Sequence, residues 1–244
     1  MVSYASLKED DVVLEIGAGL GFLTERLAEK AGRVIAVEVD SKLVRMLESR
    51  LSNRRNVTIL QGDILKAVVP SFDKVVSTPP YSISSPFLFW LLGRNFKEAV
   101  LAFQEEFARR LAATPGSDDY GRLTVTTYYR AEVELLDHVP KEVFWPPPKV
   151  DSTIVRLTPR KPPFSVIDEE VFFELVRALF SQKNRKMKNA VLPFFSEFGV
   201  QKGKVSELVG GLPFRDRRPR ELSPEEIGLA ANEVVGSMRR LSLL

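Results

Sequence analysis

Short apolar runs alternate with segments of helical periodicity from residue 12 to residue 111 of the chain. The apolar runs predict strands near 12–16, 33–38, 57–61, 73–77 and 98–104. The segments between and after them predict helices at 23–30, 41–51, 84–92 and 105–112. Buried strands that alternate with helices are typical of a parallel sheet covered on both faces. We therefore predict a doubly wound α/β domain.

The pattern changes in the second half of the chain. The segment 123–129 fits either a helix or a strand, whereas 132–139 and 151–158 predict an antiparallel hairpin at the sheet edge. Prolines at 159, 162 and 163 indicate a stiff linker, and only helical periodicity follows it. We predict an α/β domain over 1–163 and a helical domain over 164–244.

The first strand runs directly into a turn with glycines at alternate positions, Gly17, Gly19 and Gly21. Glycine permits positive φ and a close approach of the backbone to a ligand at a helix start. A dinucleotide-binding turn would place its last glycine at position 22, where this chain has Phe22. The observed spacing, with Glu15 two residues before the first glycine, is typical of S-adenosylmethionine (SAM) methyltransferases.

Carboxylates also end the next two strands. Glu38 follows the turn by about twenty residues, where it can accept hydrogen bonds from both hydroxyls of a ribose. Asp63 can accept a hydrogen bond from an adenine amino group, although a solvated Asp at a strand end is an equal alternative for this residue alone. Glu15, Glu38 and Asp63 together favour SAM. The predicted cofactor site comprises Glu15, Gly17, Ala18, Gly19, Glu38, Val39, Asp63, Ile64 and Thr78.

The fourth strand opens into Thr78-Pro79-Pro80-Tyr81, where amino-directed methyltransferases carry Asn or Asp, two prolines, and Tyr or Phe. An exocyclic adenine amine is a poor nucleophile because its lone pair is delocalised. A side-chain acceptor and a backbone carbonyl can orient its N–H bonds for in-line attack, while the aromatic ring stacks on the extruded base. The alternative is a proline-rich strand end with a packed Tyr.

The composition removes several other classes of function. The chain has no Cys and one His, which argues against disulfides, thiolate metal sites and Cys or Ser-His nucleophiles. We expect no metal, and we expect His138 to be structural. No apolar run approaches the ~18 residues that span a bilayer, and no signal pattern is present at the start, so we expect a cytoplasmic protein. The net charge of +3 indicates no partner by itself.

Several ordered segments are similar to motifs of one family. They are 14–24, 104–111, 120–123, 144–157, 180–189 and 220–225. Over nearly its whole length the chain resembles the ribosomal RNA adenine dimethyltransferases, which modify two adjacent adenosines in the small-subunit RNA. The resemblance implies a Rossmann-like SAM methyltransferase sheet, a small C-terminal all-helical domain, small-subunit rRNA or a pre-ribosomal particle as partner, and a monomeric protein.

Two basic clusters coincide with the C-terminal motifs. A solvated helix face is the alternative reading of such clusters, but cations here can neutralise RNA phosphates and fix the register of the RNA. The predicted RNA-binding residues are Lys183, Arg185, Lys186, Lys188, Arg217, Arg218 and Arg220.

The chain departs from the family pattern in two places. The family usually has Asn and Leu where this chain has Thr78 and Pro79, and a Thr hydroxyl is a shorter acceptor than an Asn amide. This leaves open whether one or two methyl groups are added. The Gly-Gln-Asn-Phe-Leu segment that closes over the cofactor in the family is absent from the residues before Gly17.

The leading hypothesis is SAM-dependent methylation of the N6 amine of adenosine in small-subunit rRNA. The predicted catalytic residues are Thr78, Pro79, Pro80, Tyr81 and Phe144, with Tyr81 and Phe144 on opposite faces of the adenine and Trp145 as an alternative to Phe144. The second hypothesis is a ribosome-assembly factor that binds rRNA with little or no methyl transfer. A large-subunit rRNA methyltransferase of the antibiotic-resistance type is the third, because it fits the C-terminal motifs less well.

Overall fold

The computed structural model describes residues 1–144 and 147–243, in two compact units. The first unit comprises Met1–Ala108 with Ala131–Arg160, and the second comprises Arg109–Arg130 with the chain from Lys161 onward. The chain passes from the first unit to the second after Arg160, close to the predicted domain boundary at residue 163. Residues 109–130 lie in the second unit, whereas the sequence places them in the first domain.

The first unit contains a seven-stranded sheet. Its strands are β1 Val12–Ile16, β2 Arg33–Glu38, β3 Val57–Gln61, β4 Lys74–Ser77, β5 Glu98–Gln104, β6 Ala131–Val139 and β7 Ser152–Pro159. The order across the sheet is β3-β2-β1-β4-β5-β7-β6. Strands β1 to β5 are parallel, and β7 runs antiparallel to both β5 and β6. The predicted α/β sheet and its antiparallel edge are therefore confirmed.

Helices cover this sheet. They are α1 Phe22–Ala28, α2 Ser41–Arg50 and α3 Ser84–Leu92, with short 3-10 helices at Tyr81–Ile83 and Lys141–Val143. Helix α4 Glu105–Leu111 begins in the first unit and ends in the second, because the boundary follows Ala108. On one face, Leu27 and Ala28 of α1 pack on Val13, Val34 and Val76 in one buried cluster. The central strands β1, β2, β4 and β5 are buried along most of their length, as their apolar sequence pattern predicts, whereas β3 and β6 are mostly half-buried or exposed.

The second unit is helical throughout its described residues. Its helices are α5 Arg122–Arg130, α6 Glu169–Ser181, α7 Met187–Ala190, α8 Leu192–Glu197, α9 Lys202–Gly210 and α10 Pro224–Arg240, with a 3-10 helix at Pro219–Glu221. The ambiguous segment 123–129 is thus a helix. It belongs to this unit because Val125 and Tyr129 share one apolar core with Phe172 and Leu175 of α6.

Side-chain hydrogen bonds cap the first turns of two helices in the second unit. Asp168 caps α6 by accepting from the Val171 amide, and Ser223 and Glu226 form a reciprocal capping box at α10. The buried Tyr120 donates its hydroxyl to the Leu222 carbonyl at 2.7 Å, which ties residues 109–130 to the C-terminal segment. Among the residues that the structure describes, no helix is both long and apolar enough to cross a membrane.

Candidate active site

The glycine turn lies where β1 ends, beside the ends of β2 and β4. Gly17 has φ of 68° and Gly19 of 57°, in the left-handed region that favours glycine. The Gly17 amide donates to the Val37 carbonyl at 2.8 Å, so the turn is fixed to β2. A Cβ on Gly17 would lie 3.0 Å from Cδ of Pro80, so only glycine lets the turn approach the segment after β4 this closely.

The Glu38 side chain holds the turn in place. Its Oε2 accepts from the Gly19 amide at 2.9 Å, and its Oε1 accepts from the amides of Val39 and Asp40 at 2.9 and 3.0 Å. Glu38 is buried, yet an ionised carboxylate has about four lone-pair sites, so one acceptor position on Oε2 stays available. The sequence predicts Glu38 as a ligand acceptor but gives no sign of these three backbone contacts.

A cavity of 290 Å³ opens at the ends of β1, β2 and β3. Its volume is at the lower end of small-molecule sites, which span roughly 300–1,000 Å³. The walls combine apolar side chains with two carboxylates. They are formed by Ile16, Gly17, Val37, Glu38, Val39, Gly62, Asp63, Ile64, Pro80, Ser82 and Ile83. The structure therefore brings together most of the residues predicted for the cofactor, and an exposed Val39 offers an apolar surface beside Glu38.

Asp63 presents one carboxylate oxygen for a ligand. Its Oδ1 accepts from the Leu65 amide at 3.0 Å, while Oδ2 lies 3.9 Å from Nζ of the exposed Lys66. An exposed ion pair of this length contributes little, so Oδ2 can exchange Lys66 for a polar ligand group. This arrangement suits an amino group better than an anion.

Glu15 lies buried at the end of β1 and has no hydrogen-bond partner for its Oε2 among the described residues. Burial raises the pKa of Glu15 to about 8, and the negative charge of Glu38 adds to this rise. Glu15 therefore holds a proton at neutral pH. It is a neutral hydrogen-bonding group next to the turn.

The segment Thr78 to Tyr81 begins directly after β4 and is anchored at both ends. Ser77 Oγ donates to the Ile16 carbonyl at 2.7 Å and accepts from the Ile16 amide at 3.2 Å, which fixes β4 to β1. The Tyr81 hydroxyl lies 2.6 Å from Oγ of the buried Ser152 on β7. Pro79 is buried, whereas Thr78 and Tyr81 are half-buried, so these two side chains retain exposed surface.

Phe144 follows the 3-10 helix Lys141–Val143 and is half-buried. The Asp151 carboxylate accepts from the Lys141 amide at 3.0 Å, and the Phe144 amide donates to the Lys141 carbonyl at 3.2 Å. These bonds connect Phe144 to the start of β7. The alternative Trp145 lies outside the described residues.

The two predicted basic clusters lie side by side in the second unit. The amides of Met187 and Lys188 donate to the carbonyls of Arg217 and Arg215 at 2.7 and 3.0 Å, so the two segments are joined backbone to backbone. The sequence separates the clusters by about thirty residues. The structure combines them into one surface, which we call the basic surface: Lys183, Arg185, Lys186, Lys188, Arg215, Arg217, Arg218 and Arg220.

Several cations of the basic surface also serve the fold. Lys183 donates to the carbonyls of Asp118 and Tyr120 at 2.7 and 3.2 Å, and Arg220 donates to the Gly116 carbonyl at 3.0 Å. Lys186 and Lys188 share Asp216 at 3.5 and 2.8 Å. Arg185 is exposed and makes no side-chain contact of this kind within the described residues.

His138 lies near two carboxylates. Its Nε2 is 3.5 Å from Oδ2 of Asp151, and one oxygen of Glu105 completes a group whose ligand atoms all lie within 4.8 Å of one another. A β-bulge between Leu135 and His138 accompanies this placement. The sequence predicts a structural His138, and this role stays a prediction.

The sequence model of the family described as "Ribosomal RNA adenine dimethylase" matches residues 1–208. The chain belongs to this dimethylase family. Two archaeal relatives carry the name "Probable ribosomal RNA small subunit methyltransferase A". The protein of Methanosarcina acetivorans is 47% identical over 234 residues, which cover 95% of this chain and 86% of that protein. The protein of Methanopyrus kandleri is 41% identical over 242 residues, which cover 98% and 87%.

Solved structures agree with this assignment. A dimethyladenosine transferase from Plasmodium falciparum superposes with a TM-score of 0.80 at 29% identity and covers 99% of this chain and 94% of its own. The 23S rRNA methyltransferase ErmE superposes with a TM-score of 0.67 at 29% identity and covers 96% and 95%. The dimethylase family therefore accounts for the sheet and the helical unit alike, and it confirms the predicted Rossmann-like methyltransferase fold.

The protonated Glu15 of this dimethylase-family chain predicts a pH dependence of stability. An unfolded Glu loses its proton near pH 4.5, whereas the folded chain keeps it to about pH 8. Between these values the unfolded state binds fewer protons, so the contribution of Glu15 to stability falls by about 1.4 kcal/mol per pH unit as pH rises. We expect Glu15→Gln to remove this slope and to gain a few kcal/mol relative to the unaltered chain between pH 5 and pH 8. Denaturant unfolding at both pH values measures it. Parallel pH profiles for the two proteins would show that Glu15 is ionised in the folded chain.

Proposed function

We propose that this chain transfers methyl groups from SAM to the exocyclic N6 amine of adenosine in small-subunit rRNA. One observation carries the proposal. The turn at Gly17 and the segment Thr78 to Tyr81 lie in contact at adjacent strand ends, through the Gly17–Pro80 approach. A ligand in the cavity at Glu38 therefore lies next to the residues that would hold the target adenine of the RNA. The names of the archaeal relatives supply the substrate class.

The cavity residues fit SAM. Glu38 Oε2 retains an acceptor site for a ribose hydroxyl, Asp63 Oδ2 can accept from an amino group, and Val39 can pack on an adenine face. The orphaned Glu15 Oε2 is a further polar atom without a partner in the described chain. When bound, SAM supplies an electrophilic methyl group on its sulfonium. The protein supplies binding and orientation.

The segment after β4 can orient the target amine. The Thr78 hydroxyl and a backbone carbonyl of the Pro79-Pro80 pair can each accept one N–H of the adenine amine, which directs its nitrogen lone pair at the methyl group. Tyr81 can stack on one face of the base and Phe144 on the other, at about 1–3 kcal/mol per stacked base. Both rings keep exposed surface for this contact.

The basic surface of the second unit is the proposed RNA contact. Its cations come from two chain segments and outnumber the acidic groups that pair with them, of which Asp216 binds two lysines. Phosphate contacts of this kind fix the position of an RNA, while its shape and a splayed adenosine provide the specificity. A monomer that works in the cytoplasm is part of the same proposal.

A second candidate function follows from Thr78. Its hydroxyl reaches less far than an Asn amide and must also place its own proton. If this acceptor is inadequate, the chain is a ribosome-assembly factor that binds rRNA without efficient methyl transfer.

The direct test is the nucleoside profile of small-subunit rRNA after incubation with the protein and SAM, read by mass spectrometry. We expect N6-methylated adenosine, with more monomethyl than dimethyl product. The rate of the second transfer is reduced more because the monomethylated amine has only one N–H left to orient.

We expect Thr78→Asn to raise the dimethyl fraction, since one well-placed polar contact contributes up to about a hundredfold in rate. Efficient dimethylation by both proteins would contradict the role of Thr78. No product from either would favour the assembly factor.

A separate prediction concerns the cofactor. Glu38→Ala removes a charge-assisted contact of about 1.5–3 kcal/mol, so we expect SAM affinity to fall roughly ten- to hundredfold in calorimetry. Glu48→Ala, which removes an exposed carboxylate on α2, is the matched control and should leave affinity unchanged. Equal affinities of Glu38→Ala and the unaltered chain would remove Glu38 from the site.

Three exposed cations of the basic surface allow its contact with RNA to be tested. Arg185, Lys186 and Arg218 are exposed and can be neutralised together as glutamines without touching Lys183 or Arg220, which serve the fold. If all three contact phosphates, the negative slope of log affinity against log salt should become shallower by roughly two to three. The control replaces three exposed cations of the first unit, Lys30, Arg45 and Arg55. An unchanged salt slope in the triple glutamine variant would show that these three cations are merely solvated and do not contact RNA phosphates.

A further inference from the structure

The hydrogen bond between Tyr81 and Ser152 joins two segments that lie 71 positions apart in the chain. The two oxygens are 2.6 Å apart, and Ser152 has no exposed surface. Ser152 is held on both sides, because β7 pairs it with Gln104 of β5 and with Val139 of β6. Its hydroxyl is therefore a fixed point, whereas the half-buried Tyr81 leaves the sheet on a short 3-10 helix.

The direction of β7 makes this contact possible. Parallel strands β4 and β5 end at the same edge of the sheet, and Tyr81 leaves β4 there. Because β7 runs antiparallel to β5, its first residue, Ser152, lies at this same edge. A parallel strand in its place would put its last residue there instead.

The residue before Ser152 performs a related task. Asp151 Oδ1 accepts from the Lys141 amide at 3.0 Å and so holds the 3-10 helix Lys141–Val143, which precedes Phe144. The first residue of β7 and the residue before it thus hold the two segments that carry Tyr81 and Phe144. Both aromatic side chains are the ones proposed to stack on the adenine.

We propose that Ser152 is a positioning residue for methyl transfer, which acts through the Tyr81 hydroxyl to fix the position of the ring on which the target adenine stacks. The proposal rests on the proposed function. The ring of Tyr81 is partly exposed, and a hydrogen bond at the far end of the ring opposes a swing of the side chain away from β7. A stacking ring held in one position presents the amine to the methyl group in one orientation.

The test is a double-mutant cycle with Ser152→Ala and Tyr81→Phe in the full chain. Each variant removes one partner of the hydrogen bond, and Tyr81→Phe keeps the ring. We expect the single-turnover rate of adenine methylation to fall about three- to tenfold in each, with SAM affinity unchanged. We expect the double variant to be no slower than the slower single variant, since both remove the same contact.

The control is Tyr4→Phe, which removes a tyrosine hydroxyl hydrogen-bonded to Asp137 elsewhere in the first unit. It should leave the methylation rate unchanged. Unfolding midpoints of all variants separate positioning from stability, because a merely structural contact lowers the midpoint without a selective loss of rate.

The outcomes distinguish the two proposals. If the unaltered chain methylates RNA but Ser152→Ala and Tyr81→Phe match its rate, the positioning role is overturned and the proposed function stands. Rate losses that multiply in the double variant overturn it equally, because they show two independent effects. If the unaltered chain yields no methylated adenosine, the proposed function fails, and the role of Ser152 fails with it.

Discussion

The close approach of Gly17 to Pro80 is the constraint on which the site depends. The first glycine of the turn has φ of 68°, and a Cβ there would lie 3.0 Å from the Pro80 ring. β1 and β4 pair directly in the sheet, and Ser77 bonds both backbone groups of Ile16. The backbone contacts of the sheet therefore set the turn that faces the cavity beside the segment proposed to hold the target adenine. Catalysis by orientation requires such a fixed relation between two binding sites.

Glu38 shows how one side chain can serve both the fold and a ligand. It stabilises the turn through the Gly19 amide and the start of α2 through the amides of Val39 and Asp40. The same carboxylate borders the cavity. Because its position is fixed by three backbone donors, a ligand that uses the remaining acceptor site meets a group that needs no rearrangement. Preorganised acceptors of this kind reduce the entropy cost of binding.

Much of the first unit could be predicted from the sequence. Strands β1, β2 and β5 have the predicted bounds, because strands buried on both faces of the sheet leave a nearly continuous apolar run. The carboxylates at strand ends were also predictable, since parallel strands end at one edge of the sheet. The helical state of α5 was less clear, because a short run such as 123–129 fits both the helical and the strand periodicity. The order of β6 and β7 in the sheet was also less clear.

Contacts between distant segments could not be predicted. Nothing local signals that Ser152 reaches Tyr81, that Met187 bonds Arg217, or that residues 109–130 share a core with α6. These depend on how strands and helices pack, and the residue types involved are common in other settings. The neutral state of Glu15 also required the structure, because burial causes its raised pKa.

The central claim is that the cavity at Glu38 holds SAM beside Thr78 and Tyr81. A crystal structure with S-adenosylhomocysteine, the product that remains after methyl transfer, tests it most directly. We expect the ribose hydroxyls at Glu38, the adenine amine of the ligand at Asp63, and the sulfur facing the Thr78–Tyr81 segment. A ligand bound elsewhere, or bound in the cavity with its sulfur turned away from Thr78, would contradict the account.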